Sequence, residues 1–133
     1  MADRYFSPAE VEAMIPALTG VMTRLMAAYR EAGEARDRLQ TEQRRIALSG
    51  GGILDGDAWR AGREDLGRSG AVIQEGLREI ATMGGVPKDL GMGLVDFPHL
   101  REGREVNLCW RHGEWQIRFW HGLDEGYAGR KPL

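Results

Sequence analysis

Cysteine is almost missing: Cys109 is the single one in 133 residues. No internal disulfide can form, and no CxxC pair exists to bind a metal or carry redox chemistry. A lone thiol fits a reducing compartment, so a cytoplasmic location is expected. Histidine is scarce as well, with three copies and no His-x3-His spacing of the kind zinc sites use. The formal net charge is only -2. A phosphate backbone needs a basic face, so nucleic acid is not an expected partner. No apolar run approaches the roughly 20 residues that span a bilayer, and no membrane partner is expected. The start, Met-Ala-Asp-Arg-Tyr-Phe-Ser-Pro, has no apolar signal core.

What is present is long, charged, helical sequence followed by a different C-terminal block. Ser7-Pro8-Ala9-Glu10 reads as a helix start with a capping box and proline at the first position. Tyr5 and Phe6 can pack back on it. Pro16 predicts a break or kink near Met14-Ile15, because it lacks an N–H and crowds the preceding turn. Beyond it Ile15, Leu18, Met22, Leu25, Tyr29, Ala32, Arg36, Leu39, Gln43 and Ile46 alternate by three and four, the seam of a packed helix. The helix should end near Leu48, before Ser49-Gly50-Gly51-Gly52. A second helix should start at Asp55 or Asp57 as cap. It carries Trp59, Leu66, Ile73 and Ile80 at intervals of seven and ends at Gly84-Gly85. Gly62, Gly67, Gly70 and Gly76 each weaken it by about 1 kcal/mol relative to Ala. They either allow close helix approach or mark local mobility. The short loop between favours an antiparallel αα-hairpin.

After Gly85 the period falls to two. Leu94-Val95-Asp96-Phe97 reads as a short strand stopped by Pro98. Glu105–Arg111 and Gln116–His121 read as a hairpin about Gly113-Glu114, a type II′ turn. That turn sets Trp110 opposite Ile117, Leu108 opposite Phe119 and Val106 opposite His121. These share a buried face with His112 and Trp115. Asn107, Cys109, Arg111, Arg118 and Trp120 take the other. An odd-length loop would break this pairing. The fold class expected is α+β: a long antiparallel, coiled-coil-like αα-hairpin over about 7–84 and a small antiparallel sheet over about 85–133, forming a single domain.

Several motifs carry a resemblance. Phe6-Ser7 with Glu10, Gly93 to Pro98, Leu108 to Glu114, Trp120-His121 and Gly126-Tyr127-Ala128-Gly129-Arg130 resemble the pattern of an uncharacterised bacterial family, domain of unknown function 2203. Tyr127 stands where that family has Phe. His99 and His112 fall outside its motifs, which singles out His121. The resemblance covers nearly the whole chain and implies no established activity.

Candidate site residues therefore lie in the last third. Asp96, His99 and His121 are the metal candidates, if the Asp96 strand lies beside the hairpin; His112 and His121 fall near 20 Å apart at about 3.3 Å per residue. No metal or cofactor is expected, because the ligand spacing is poor. Cys109 reads as a small buried apolar residue rather than a nucleophile, although Arg118 opposite it would favour a thiolate. His121 is either a base oriented by Asp124 and Glu125 or a strand-end histidine bonded to backbone. Trp120 is a candidate ligand wall, and Arg130 either an anion contact or a surface ion pair with Glu114 or Asp124. Asp96, Trp120, His121, Asp124 and Arg130 together make a candidate ligand pocket. Gly91-Met92-Gly93 lacks the third glycine of a dinucleotide fingerprint. Arg36, Arg38, Arg44 and Arg45 alternate with Glu34, Asp37 and Glu42 as a solvated face.

Two function classes follow. The chain is expected to be a non-enzymatic adaptor or assembly protein that forms a homodimer through its long helices and binds an unknown protein partner. The alternative is a small-molecule or metal-binding protein, catalytic or not, using the C-terminal pocket. No recognisable catalytic constellation is present, which favours the first.

Overall fold

The computed structural model describes residues 2–50 and 56–133. Its elements are α1 (Pro8–Leu48), α2 (Gly56–Met83), β1 (Val86–Asp89), β2 (Leu94–Arg101), β3 (Arg104–Arg111), β4 (Phe119–His121), a short 3-10 turn (Tyr127–Gly129) and β5 (Lys131–Pro132). The architecture is α+β. The five strands form one antiparallel sheet in sequence order, β1-β2-β3-β4-β5.

The start of α1 follows its sequence. The Ser7 hydroxyl accepts from the Glu10 amide at 3.1 Å, and the Glu10 carboxylate accepts from the Ser7 amide at 2.9 Å. Of the break or kink expected at Pro16, the break does not occur: α1 runs continuously through it. Pro16 is on the exposed side, so the Glu12 carbonyl it deprives of an amide can be hydrated. Val11, Ile15, Leu18, Val21 and Met22 are buried on both sides of it, and that burial outweighs a local cost of about 3 kcal/mol. An 18-residue stretch of α1 has a mean hydropathy of 1.2. Its buried residues face α2 and the sheet in one common core, which accounts for that apolarity.

The helix seam is shifted from the heptad reading. Ala32 is buried as the heptad places it, but Tyr29 is 51% exposed, and Ala28 and Ala35 are buried instead. A straight helix drifts off a seven-residue repeat, so a strict heptad overruns its own face. On α2 the buried positions are Gly62, Ser69, Gly76 and Ile80, with Trp59, Leu66 and Ile73 only half-buried beside them. A Cβ at Gly62 would come within 2.9 Å of Leu39, and one at Gly76 within 2.6 Å of Leu25. Arg24–Glu79 and Arg38–Asp65 ion pairs confirm the same antiparallel register. Close approach is thus the role of these two glycines. Asp57 lies in the first turn of α2 rather than at its cap. Asp55, the other proposed cap, lies outside the described residues.

The sheet differs most from expectation. β2 does not stop at Pro98 but continues to Arg101 and pairs with β3 along its whole length, from Leu94 opposite Arg111 to Arg101 opposite Arg104. Pro98 is tolerated because its carbonyl accepts from the Phe6 amide at 2.7 Å, away from β3. Its missing N–H therefore faces the side where the β1 ladder has already ended, and no strand bond is lost. Glu102 and Gly103 turn the hairpin with φ of 52° and 78°, as a type I′ turn requires.

β3 and β4 pair only through Asn107 opposite His121 and Leu108 opposite Trp120. This is one residue out of the expected register, so the faces of β4 are inverted. Gly113 is not the first residue of a two-residue hairpin loop. The Glu114 amide donates to the Arg111 carbonyl at 2.9 Å, and Gly113, at φ 100°, is the third residue of that turn. Because His112 keeps a negative φ, the turn is type II. The chain then runs irregularly through Trp115–Arg118 before β4. The β3 faces stand as expected: Leu108 and Trp110 join Phe6, Val95 and Phe97 in the core. Ile117 also reaches that core, but Phe119 does not. It turns to the outer face, under the Arg130 guanidinium at 4.2 Å.

Candidate functional site

Strand parity places Asp96, Cys109 and His121 on the outer face of the sheet, opposite the helices. β2 supplies Asp96, directly across from Cys109 of β3. β4 supplies His121, paired to the next residue of that face, Asn107. All three side chains are buried, at 2%, 1% and 2% exposure. One ligating atom from each lies within 4.8 Å of the others.

The hydrogen bonds assign the imidazole. His121 Nδ1 is 2.8 Å from the Gly122 carbonyl, and Nε2 is 3.0 Å from Asp96 Oδ1. A carbonyl oxygen only accepts, so Nδ1 carries a hydrogen. Nε2 then meets a carboxylate oxygen. Either the imidazole is doubly protonated against an ionised Asp96, or Asp96 is protonated and donates to Nε2. One proton lies between them in both cases, and the pair is neutral overall. Burial pushes the Cys109 thiol up to about 12, with the negative charge of Asp96 adding to it and Arg130 opposing it. Cys109 is therefore a protonated thiol with Asp96 as its acceptor, not an activated nucleophile.

The C-terminal tail closes this face. Arg130 donates to both carboxylate oxygens of Glu114 at 2.7 and 2.8 Å and to the Cys109 carbonyl at 3.1 Å. Its guanidinium lies between the rings of Phe119 and Tyr127, at 4.2 and 4.8 Å. Arg111 bonds the Tyr127 hydroxyl at 3.0 Å. Glu114 also accepts from the Arg111 amide, so one carboxylate joins the β3 turn to the tail. Arg130 is a half-buried clasp, more than a surface ion pair, and its donors are directed inward.

The other candidates are placed apart. Trp120 lies on the helix-facing side against the core, flanked by Arg101 at 4.8 Å and Lys131 at 4.7 Å. Its Nε1 is buried without a hydrogen-bond partner. Asp124 is exposed, and Glu125 binds Lys131 and the Gly122 amide rather than His121. His99 shares the helix-facing parity and its Nδ1 donates to the Phe6 carbonyl at 2.6 Å. His112 Nε2 reaches the Thr23 hydroxyl at 2.9 Å and ties the turn to α1. Arg118 does not face Cys109; it binds Gln116. Of the residues proposed from sequence, Asp96 and His121 converge. Cys109 joins them, although the expected register had set it apart from His121. The signal was Glu102-Gly103, a type I′ dipeptide that fixes Asp96 opposite Cys109.

A cleft of about 310 Å³ lies beside the tail, lined by Gly113, Glu114, Trp115, Gln116, Arg118 and Phe119, and larger ones lie on the helices. One of about 730 Å³ is lined by Ala17, Val21, Arg24, Glu75, Arg78 and Met83, among others. Another of about 470 Å³ lies among Leu39, Gln43, Trp59 and Leu66.

The chain belongs to the family of uncharacterized conserved proteins designated DUF2203, which it matches over residues 4–133. That span includes both helices, the sheet and the tail, in agreement with the resemblance carried by the C-terminal motifs. No curated protein and no solved structure matches the chain.

Proposed function

We propose that this protein is a non-enzymatic assembly or adaptor protein, with a sheet-based head and a two-helix arm through which two copies pair. The supporting observation is the composition of the arm. The core shared with the sheet ends near Met26 on α1 and Ile73 on α2. From Ala28 to Leu48 the first helix continues for roughly 30 Å at about 1.5 Å per residue. Along this length the buried side chains are small: Ala28, Ala32, Ala35, Gly62 and Ser69. The larger apolar ones are not buried. Leu39, Ile46, Trp59 and Leu66 are half-buried, while Tyr29, Val72 and Leu48 are 51%, 42% and 84% exposed.

Helices owe most of their stability to a packed apolar face. Two helices touching through alanine and glycine give little of it. A second copy laid against the first would turn each arm into half of a four-helix bundle and cover the larger side chains. Charge does not oppose this. Arg38–Asp65, Arg45–Glu42, Arg60–Asp57 and Arg68–Asp65 are already paired within one arm, so like-charge repulsion between copies is small. A two-fold dimer is the commonest closed arrangement for such a surface.

Sedimentation velocity at micromolar concentration tests the reading. The parent is expected to run as a dimer. Leu66→Arg with Val72→Glu is expected to give monomer with an unchanged head, checked by the near-ultraviolet signal of the buried Trp110. A parent that sediments as a clean monomer refutes pairing through the arm.

A further inference from the structure

The inverted β4 register brings together three side chains of complementary chemistry on a face the arm does not touch. We propose that Asp96, Cys109 and His121 form a three-ligand site for a divalent transition ion of zinc type. Four features of the cluster lead to this.

The first is the donor set. Thiolate, imidazole and carboxylate are the ligands zinc takes, and three protein ligands with one further position open is a recurrent arrangement. The second is convergence. Metal–ligand bonds of about 2.0–2.3 Å place ligand atoms roughly 3.3–3.7 Å apart around a tetrahedral ion. The Asp96–His121 separation is 3.0 Å and the ligand atoms all lie within 4.8 Å of one another, so small side-chain rotations suffice. The third is the hydrogen bond behind the histidine. Nδ1 of His121 donates to the Gly122 carbonyl, the bond that commonly fixes a ligating histidine and directs its Nε2 lone pair at the metal. Here Nε2 faces a carboxylate oxygen, acceptor against acceptor unless something cationic sits between them. A proton satisfies that need, and so does a metal ion.

The fourth feature is charge. Without metal the cluster holds one proton shared between Asp96 and His121 and one neutral thiol, and is neutral. A divalent ion with carboxylate, thiolate and neutral imidazole is neutral too. Binding therefore releases two protons, one from between Asp96 and His121 and one from Cys109, and leaves no net charge buried beneath the tail. Neighbouring Arg130 is neutralised by Glu114, so the balance holds across the face. A hard ion such as Mg2+ would gain nothing from the sulfur.

Cobalt is the probe, because its colour reports the ligands. The full chain, stripped with a chelator and held reduced by a phosphine, is titrated with Co2+ in two ways: as the folded protein, and refolded from urea with Co2+ present, since the ligands are buried. One Co2+ per chain is expected, with thiolate-to-cobalt charge-transfer absorption, two protons released per ion in weakly buffered indicator, and displacement by Zn2+. Cys109→Ser should lose the charge-transfer band. Asp96→Asn and His121→Gln should weaken binding by about tenfold or more. Circular dichroism shows whether each variant folds, and the parent decides the matter regardless. No charge-transfer absorption in either preparation, or cobalt bound without it, overturns the site and leaves a hydrogen-bonded cluster that holds the tail.

Discussion

Substituting the α2 glycines one at a time separates close helix approach from local mobility, because the geometry assigns different signs to different positions. Replacing Gly by Ala in a helix interior gains about 1 kcal/mol from propensity. At Gly67 and Gly70 the new methyl would meet nothing within 4 Å. Gly67→Ala and Gly70→Ala should each stabilise by up to about 1 kcal/mol. At Gly76 the same methyl would lie 2.6 Å from both Cγ and Cδ2 of Leu25. Leu25 is fully buried, packed in the core that α1 and α2 share with the sheet. It cannot swing aside without displacing that core, and overpacking costs about 1–3 kcal/mol. The helices must separate or Leu25 must leave its rotamer, so the cost outweighs the propensity gain. Gly76→Ala should destabilise by up to about 2 kcal/mol net. Gly62 is intermediate. Its methyl would meet Leu39 at 2.9 Å, but Leu39 is only half-buried and can move, so the change there should be near zero.

Urea denaturation followed by circular dichroism gives the four values. The order expected is Gly67 and Gly70 above the parent, Gly62 near it and Gly76 below. The gap between extremes should reach up to about 3 kcal/mol. If all four alanines stabilise alike, the glycines mark looseness in α2 and the close contact at Leu25 is not real. If all four destabilise, some feature other than Cβ space sets the helix spacing.

Three further outcomes follow from individual contacts. Trp110 is fully buried and its indole N–H donates to the Glu114 carbonyl at 2.8 Å, so Trp110→Ala should lower stability by about 3–5 kcal/mol; an unchanged melting curve would contradict that burial. Glu105 accepts from the Tyr5 hydroxyl at 2.8 Å and from the Ala2 amide at 3.1 Å, bonds that hold its carboxyl below the ordinary range. Its stabilising contribution is present above the unfolded value near 4.5 and is lost as pH falls through the lower folded value. Glu105→Gln should flatten the acid limb of a stability–pH curve, and a parallel limb would refute the linkage. The Cys109 thiol, buried and pushed up to about 12, should resist iodoacetamide at pH 8 in the folded, metal-free chain and react fully in urea; rapid alkylation of the folded chain would show that the outer face opens.

The helices were legible because their signals are local and repeated. The capping box, the three-and-four spacing and the glycine terminator each act within one or two turns, and α1 and α2 follow from them. The two departures on the helices have one origin. Propensity gave a break as one of two outcomes at Pro16, and a strict heptad placed Tyr29 on the buried seam. Tertiary packing decided both: buried residues on either side carry the helix through Pro16, and the shared face drifts from Tyr29 to Ala28.

The sheet was harder to read because register is digital. One residue of slip inverts every side chain of a strand, and the whole candidate site depended on one loop. A two-residue turn at Gly113-Glu114 would have put His121 opposite Val106 on the helix side, with Trp120 left outside beside Cys109. The type II turn through Arg111–Glu114 and the irregular run after it put His121 opposite Asn107. That shift moves the imidazole into reach of Asp96 and Cys109 and sends the indole to the core. The glycine alone does not distinguish the two turns, since both accept a positive φ there. The side chain of Glu114 does. Its carboxylate accepts from the Arg111 amide within the turn and from Arg130 of the tail, so the turn geometry and the tail closure depend on one residue. Glu114→Gln keeps the shape of that acceptor but removes the charge opposing Arg130. If the register is held by the charged clasp, this variant should loosen the tail and expose Cys109 to alkylation while Trp110 stays buried. If the clasp is incidental, both reporters should remain as in the parent.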